Sequence, residues 1–285
     1  MSPSLRLALV PMLVAVAAAS AGCKVSCEKD AAGNEVCTAK LLQRFNGTKT
    51  TATAAWSTGQ KVRVVSHNGN VTVRADGAAA DAISADFQPF ALDTDADSAK
   101  ATLANKLQGG VATAAAGEVD VEGQLSGSGA YGYDIVVHVP AVFDGPLDVA
   151  ESNGEVNLAS AAASTYAKVE SDNGGITAAS LRGTVYLVTK NGSVNVTATP
   201  AGAQNYVHTD NGQVDFSFVA GTDLTTTVRS GASFSGLGDV TIPSPTPASW
   251  TVTGESPTLN IVTGDGTKGT LEVSSGNGDV GLSQL

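Results

Sequence analysis

One pattern recurs six times in this 285-residue sequence: an apolar residue, a polar residue two later, Asn-Gly, then apolar residues three and five positions after the Asn. It runs as Val64-x-Ser66-x-Asn68-Gly69-x-Val71-x-Val73, then as Val149-x-Glu151-x-Asn153-Gly154-x-Val156-x-Leu158. Val169-x-Ser171-x-Asn173-Gly174-x-Ile176-x-Ala178 and Leu187-x-Thr189-x-Asn191-Gly192-x-Val194-x-Val196 follow. The last two are Val207-x-Thr209-x-Asn211-Gly212-x-Val214-x-Phe216 and Val273-x-Ser275-x-Asn277-Gly278-x-Val280-x-Leu282. In the central run, successive Asn residues stand 20, 18 and 20 apart. Alternation with period two on each side of Asn-Gly makes each flank a strand with one buried face. Gly supplies the positive φ of a sharp corner, and Asn tolerates it.

Two architectures satisfy this pattern. Asn-Gly is a strong hairpin signal, which would give an antiparallel meander. Alternatively each unit is one rung of a β-solenoid, with equivalent positions stacked about 4.8 Å apart. The columns favour the solenoid. Stacking places Val149, Val169, Leu187 and Val207 in one inward column and Val156, Ile176, Val194 and Val214 in another. Asp172, Lys190 and Asp210 then alternate in charge on the outside, each step favourable by a few tenths of a kcal/mol. Asn157, Thr177, Asn195 and Asp215 form a second polar column, and small Ala178 shares its layer with Val196 and Phe216. The expected fold is all-β, a solenoid of about 20-residue rungs.

Composition agrees. Only 15% of residues are charged, 5% are aromatic, 32 are Gly, and the net charge is −11. A helical bundle needs far more Leu, Glu and Lys, and nucleic-acid binding needs basic surface, so both are disfavoured. One segment breaks the β pattern. Thr94 to Leu107 reads as a helix near residues 94–108, with acids in its first turn, a base in its last, and Gly109-Gly110 after it. It sits in an insert of about 79–118. Residues 231–270 hold degenerate rungs, Asp239-Val240-Thr241-Ile242 and Thr263-Gly264-Asp265-Gly266, and a Pro-rich turn at 243–247. The expected division is a signal at 1–22, a tether at 23–54 and the β domain at 55–285.

Residues 1–22 read as an export signal, with Arg6 ahead of the apolar run Leu7 to Ala19. That run is too short for a transmembrane span, which needs about 20 apolar residues. Ser20-Ala21-Gly22-Cys23 resembles the lipobox of bacterial lipoproteins, in which the Cys becomes the first residue and is acylated; Ser20 stands where that family usually has Leu. Ordinary cleavage near Ala19 or Ala21 is the alternative. Lipidation of Cys23 uses one of three cysteines and leaves Cys27 and Cys37 as a disulfide pair. That bond is worth about 2.5–3 kcal/mol on the loop-entropy model. Cleavage before Cys23 removes Arg6 and no acid, so the mature chain is more acidic still. Such a balance argues against adhesion to anionic lipid or DNA. Lys24 stands where the resemblance would put an Asp for inner-membrane retention, which points to the outer membrane of a bacterial cell envelope.

The Asn-Gly rungs, the insert helix and the strand Tyr131-Gly132-Tyr133-Asp134-Ile135-Val136-Val137-His138-Val139-Pro140 together resemble a bacterial "putative adhesin" family of β-strand-repeat domains of unknown function. The resemblance covers residues 55–285 and carries over no functional residue.

Motifs of other chemistries fail on context. Gly127 to Gly132 fits G-x-G-x-x-G but leads into a strand instead of a helix. Asp93 to Ser98 starts like an EF-hand loop, yet Ser98 and Ala104 stand where Gly and Glu are needed. His67, His138 and His208 lie outside any metal-binding spacing. Glu151, Asp172, Asp210 and Asp215 are the carboxylates a glycan-cleaving solenoid would use, but each stands in a column that is polar anyway. No cofactor and no metal site is expected.

The expected function is a non-catalytic, lipid-anchored envelope protein whose solenoid serves as scaffold or adhesin-like binding module for glycan or matrix. The alternatives are an envelope-stress or signalling accessory that binds a protein partner, and a polysaccharide lyase or hydrolase.

Overall fold

A computed structural model describes residues 23–29, 35–77, 79–115, 117–159, 165–231 and 238–285. The expected signal at 1–22 and the Gly33-Asn34 turn lie outside the described residues. The rest is mostly β, with one short helix, Ala96–Lys106.

The strands flanking each Asn-Gly pair with their equivalents in other units and not with each other. One ladder holds the strands that precede Asn-Gly. There Val64 faces Val149, Val149 faces Val169, Val169 faces Leu187, Leu187 faces Val207, and Val207 faces Val273, all in parallel register. A second ladder holds the strands that follow. It runs through Val71, Val156, Ile176, Val194, Val214 and Val280, again parallel. The hairpin meander is excluded, because Asn-Gly passes the chain from one ladder to the other instead of folding it back.

The inward side chains of both ladders meet in one core. Val62, Val64, Val71, Val73, Leu147, Val169, Leu187 and Val214 have no solvent exposure. Each such aliphatic side chain contributes about 1.5–3 kcal/mol by leaving water. Volume is shared along the column, with small Ala178 between Leu158 and Val196, and Val196 facing Phe216. The shorter spacing between Asn173 and Asn191 also has a structural cause. Ile176–Asn191 is a single 16-residue strand that belongs to both ladders. Residues 176–183 pair with Val194–Pro200 in the second ladder, with a register shift between Ala178 and Leu181 where Ser180 takes φ 59°. The strand passes to the first ladder at Thr184, which pairs with Tyr166. No separate loop is needed, so this unit is two residues shorter.

The corners are stacked as closely as the strands. Asn153 Nδ2 donates to Asn68 Oδ1 at 3.0 Å, Asn173 to Asn153 at 3.0 Å, and Asn191 to Asn173 at 3.0 Å. Asn211 continues to Asn191 at 3.0 Å and Asn277 to Asn211 at 2.7 Å. Each bond contributes about 0.5–1.5 kcal/mol net. The neighbouring glycines approach backbone to backbone. Gly69 has φ 108° and Gly192 156°, whereas Gly154 and Gly174, expected to be positive as well, are not. What Gly154, Gly174, Gly192, Gly212 and Gly278 share is space. A Cβ on any of them would stand under 3.0 Å from the carbonyl of the stacked glycine, as Gly192 would from Gly174. At three corners the inward Ser or Thr two residues before Asn bonds the glycine carbonyl of the stacked corner. Thr189 donates to Gly174 O at 2.8 Å, Thr209 to Gly192 O at 2.7 Å, and Ser275 to Gly212 O at 2.7 Å.

At both ends, order in space departs from order in sequence. Glu118–Leu125 and Tyr131–Pro140 lie outside the earlier strands Lys61–Ser66 and Val71–Gly77. Ala82–Asp93 and Leu107–Ala115 then pair antiparallel against that outer layer. At the other end, Thr270–Asn277 lies between Gln204–Asn211 and Leu224–Arg229, parallel to both. The antiparallel pair Trp250–Glu255 and Thr258–Thr263 follows on the outside. Antiparallel strands thus end the first ladder at both ends.

Three sequence expectations change. The 23–54 tether is partly strand: Gln43–Asn46 and Thr50–Ala55 pair with Ala82–Asp93, through an alternation of Thr and Ala short enough to pass for a linker. Val240–Thr241 does stack, against Val280 and Gly281. Thr263 to Gly266, by contrast, is a strand end and a turn, in which Gly264 and Gly266 take φ 62° and 68°. The helix is 96–106, two residues inside its expected start. Asp95 serves as N-cap, accepting from Ser98 N at 2.8 Å, with Lys106 in the last turn.

Crowding at the corner predicts that Gly192→Val costs about 3 kcal/mol or more, since neither backbone can yield. Ser193→Val, on the exposed side of the same corner, should stay within about 1 kcal/mol. Chemical denaturation compares the two. Amide exchange in the Gly192 variant should also quicken near Asn173 and Asn211; equal stabilities, or faster exchange confined to 185–198, would refute the stacked-corner account.

Candidate functional site

The residues expected to carry chemistry are mostly engaged in structure. Cys27 and Cys37 face each other in the antiparallel pair Cys23–Lys29 and Glu35–Leu41 and are joined by a 2.05 Å S–S bond. Cys23 opens the first of these strands. Among the described residues, no helix is long and apolar enough to cross a membrane.

His138 Nδ1 lies 2.7 Å from Asp76, and His208 bridges Ser274 Oγ at 2.8 Å and Asp210 at 2.9 Å. His67 is exposed beside the Asn68 corner. Asp172 pairs with Lys190 at 2.5 Å, and this contact raises the Lys190 pKa. Asp215 accepts from Gln213 at 2.9 Å. The EF-hand-like acids serve the helix start: Asp93 accepts from Ser98 Oγ at 2.6 Å, which holds its carboxyl below the ordinary range. The Gly127–Gly132 segment packs against neighbours, a Cβ on Gly132 falling on Asn68 O.

A concave surface lies on the outer face of the first ladder, and sequence reasoning missed it. Tyr186 and Tyr206 stand opposite one another on adjacent parallel strands, with ring centroids 5.5 Å apart. Tyr206 stacks at 24° on His208, two residues along the same strand. Burial raises the Tyr206 pKa, with a smaller opposing effect from its hydrogen bond to Ser274. In the same row Lys168 stands beside Tyr186, and Glu272 beside Tyr206. The cleft of about 840 Å³ runs from Tyr166 and Thr184 at one end to Thr227 and Arg229 at the other. It crosses five strands, roughly 19 Å at about 4.8 Å per gap.

Asn205 anchors the floor. Only 5% exposed, it stands in an inward position between Val185 and Leu271 on the neighbouring strands. Its Oδ1 accepts from Val185 N at 2.9 Å, and its Nδ2 donates to Thr270 O at 3.0 Å. The amide thus ties three strands beneath the tyrosines. A sequence signal did exist: Tyr166, Tyr186 and Tyr206 are 20 residues apart. The 18-residue unit breaks that spacing, so Tyr166 faces Thr184 and is displaced from the Tyr186–Tyr206 column.

Glu151 is the one carboxyl the corner column buries, at 4% exposure. It occupies the position held elsewhere by Ser or Thr. Oε1 accepts from Asn153 N at 2.6 Å, and Ser171 Oγ lies 3.5 Å from Oε2. Desolvation dominates these bonds and pushes its pKa up to about 8. Glu151 is therefore largely neutral at pH 7.

No protein-family model and no curated protein sequence matches the chain. Two solved structures are similar to it. A putative cell adhesion protein from Clostridium sporogenes has a TM-score of 0.47 at 11% identity, over 84% of this chain and all of that one. A putative adhesin from Bacteroides fragilis has a TM-score of 0.30 at 9% identity, over 84% of this chain and 97% of that one.

Glu151 predicts an unusual pH dependence. Its folded pKa lies above the ordinary 4.5. Between those values the unfolded chain ionises while the folded chain stays protonated. Stability therefore falls by about 1.4 kcal/mol per pH unit across the interval and levels off above about 8. Asp86, held low mainly by Lys49, works in the opposite sense, losing stability only as pH falls below the ordinary carboxylate range. Glu151→Gln should flatten the slope between pH 5 and 8 and leave stability at pH 4 nearly unchanged. Denaturation midpoints across pH check this, and an unchanged slope would show that Glu151 ionises freely.

Proposed function

We propose that the chain is a non-catalytic, lipid-anchored protein of the bacterial cell envelope, and that its stacked Asn-Gly units form a β-solenoid acting as an adhesin-like binding module. The observation that carries this reading is the outer face of the first ladder. The inward faces of both ladders are consumed by the core, whereas this face presents a continuous cleft across five strands. A stack of parallel strands holds such a face rigid, because every strand is hydrogen-bonded on both sides; a surface of that kind suits recognition of an extended ligand.

The carboxylates support binding over cleavage. Asp172 and Asp210 are tied to Lys190 and His208, and Glu151 is buried in the corner column. A glycan-cleaving pair needs two carboxyl groups facing one substrate.

The anchor rests on the lipobox-like Ser20-Ala21-Gly22-Cys23 run. Acylation at Cys23 would place the lipid at the start of the disulfide-bonded Cys23–Leu41 strand pair, with the stacked units beyond it. Lys24 following Cys23 supports the outer membrane as its destination.

The test is fractionation. Each buried CH₂ of an acyl chain contributes about 0.8 kcal/mol, so loss of the chains moves the protein between fractions. Wild type should pellet with membranes and take up fatty-acid label, and Cys23→Ala should be soluble and unlabelled. A Cys23→Ala protein that still pellets, together with an unlabelled wild type, would end the lipoprotein reading.

A further inference from the structure

We propose that the tyrosine cleft binds a neutral oligosaccharide, laid across the strands of the first ladder so that its sugar rings stack on Tyr186 and Tyr206. This deepens the binding-module reading and rests on it.

Four observations lead to that ligand class. The first is the spacing of the rings. Tyr186 and Tyr206 are 5.5 Å apart on neighbouring strands, a separation close to one pyranose ring along an extended glycan. The C–H-rich face of a pyranose carries slight positive charge, and an aromatic face carries negative charge, so the two stack. A ligand running across these two strands would meet one ring on each.

The second is charge. Arg229 Nη1 and Glu272 Oε1 face each other at 3.7 Å, so the cation and the anion at this end of the cleft balance. Lys168, beside Tyr186, is likewise held by Glu170 at 2.8 Å. An anionic ligand would find no surplus of positive charge, and a cationic one no surplus of negative charge. A neutral ligand keeps both pairs intact.

The third is the type of polar group. Guanidinium, carboxylate and amide are planar and present paired donors or acceptors, which match the adjacent hydroxyls of a sugar. Arg229, Glu272 and Gln204 all line the cleft. The pattern of apolar rings with polar groups at their edges is that of a small-molecule site.

The fourth is rigidity. Asn205 ties the backbones of the three strands under the rings, and His208 backs Tyr206 on its own strand. A preordered cleft loses little freedom when it binds, which matters for a weakly bound, flexible ligand.

The experiment is calorimetric titration of the full chain with neutral hexasaccharides: β-1,4-linked glucose, xylose, mannose and N-acetylglucosamine, and α-1,4-linked glucose. Hexagalacturonate and hexalysine are the charged arms. At least one neutral hexasaccharide should bind. Tyr186→Thr and Tyr206→Thr, which keep a residue suited to strands, should each weaken it by about tenfold or more. Tyr206→Phe, which keeps the ring, should stay within about threefold of wild type. Thermal melts of the variants accompany the titrations, and where a Thr variant unfolds, the Val variant at the same position, which keeps an apolar strand-former and removes the ring, decides the matter.

Neutral-glycan binding that is unchanged in the Thr variants would refute the cleft while preserving a glycan-binding module. Binding of hexagalacturonate or hexalysine alone would refute the neutral class. Absence of binding in every neutral arm would refute the inference, while membrane fractionation would still judge the anchored scaffold separately.

Discussion

Everything in this structure depends on how closely one corner can lie on the next. Each corner glycine from Gly154 to Gly278 meets the carbonyl of its stacked neighbour at a distance that leaves no room for a side-chain carbon. That contact sets the register of both ladders together, because each corner joins one strand of each. The Asn amides then lock it from outside and the Ser and Thr hydroxyls from inside. A slip of one residue would misalign the amides, the hydroxyls and two inward columns together. The even outer face follows from this register.

The central architecture was legible because its signal is local and repeated. Asn-Gly with alternating flanks states where the corner is, and of the expected charge ladder the Asp172–Lys190 step forms, while Asp210 pairs with His208. The corner's physical reason was only partly legible. Positive φ is a property of single residues, but at Gly154 and Gly174 the constraint is another chain segment lying above, which no local rule reveals. The candidate site was less legible still. The tyrosines repeat in sequence, yet whether two of them touch depends on the 18-residue unit and on where its strand enters the first ladder, at Thr184. Tyr166 keeps the sequence period and misses the column for that reason.

Glu151 shows the limit of reading a repeat by its consensus. The template asks for a small donor at that position, and the chain supplies a carboxyl of similar polarity and greater bulk. In sequence this looks like one more polar residue in a polar column. In space it is a buried acid held neutral by the absence of water, with a backbone amide on one oxygen and Ser171 near the other. Burial is decided by direction, and the column points inward.

The nesting at the far end of the stack has a consequence for assembly. Thr270–Asn277 and Val280–Gln284 fill the layer between strands that precede them in sequence, Gln204–Asn211 and Val214–Phe218 on one side and Leu224–Arg229 and Val240–Thr241 on the other. The layer therefore cannot be laid down in passing order, and a gap must stay open, or be held apart, until a segment some 60 residues further along arrives to fill it. Such late, distant closure makes for high contact order and slow folding. The same arrangement works as a latch. Once that segment is seated it is gripped on two sides, and Val280–Gln284 and Thr270–Asn277 cannot be unravelled without drawing strands out of the interior of the stack.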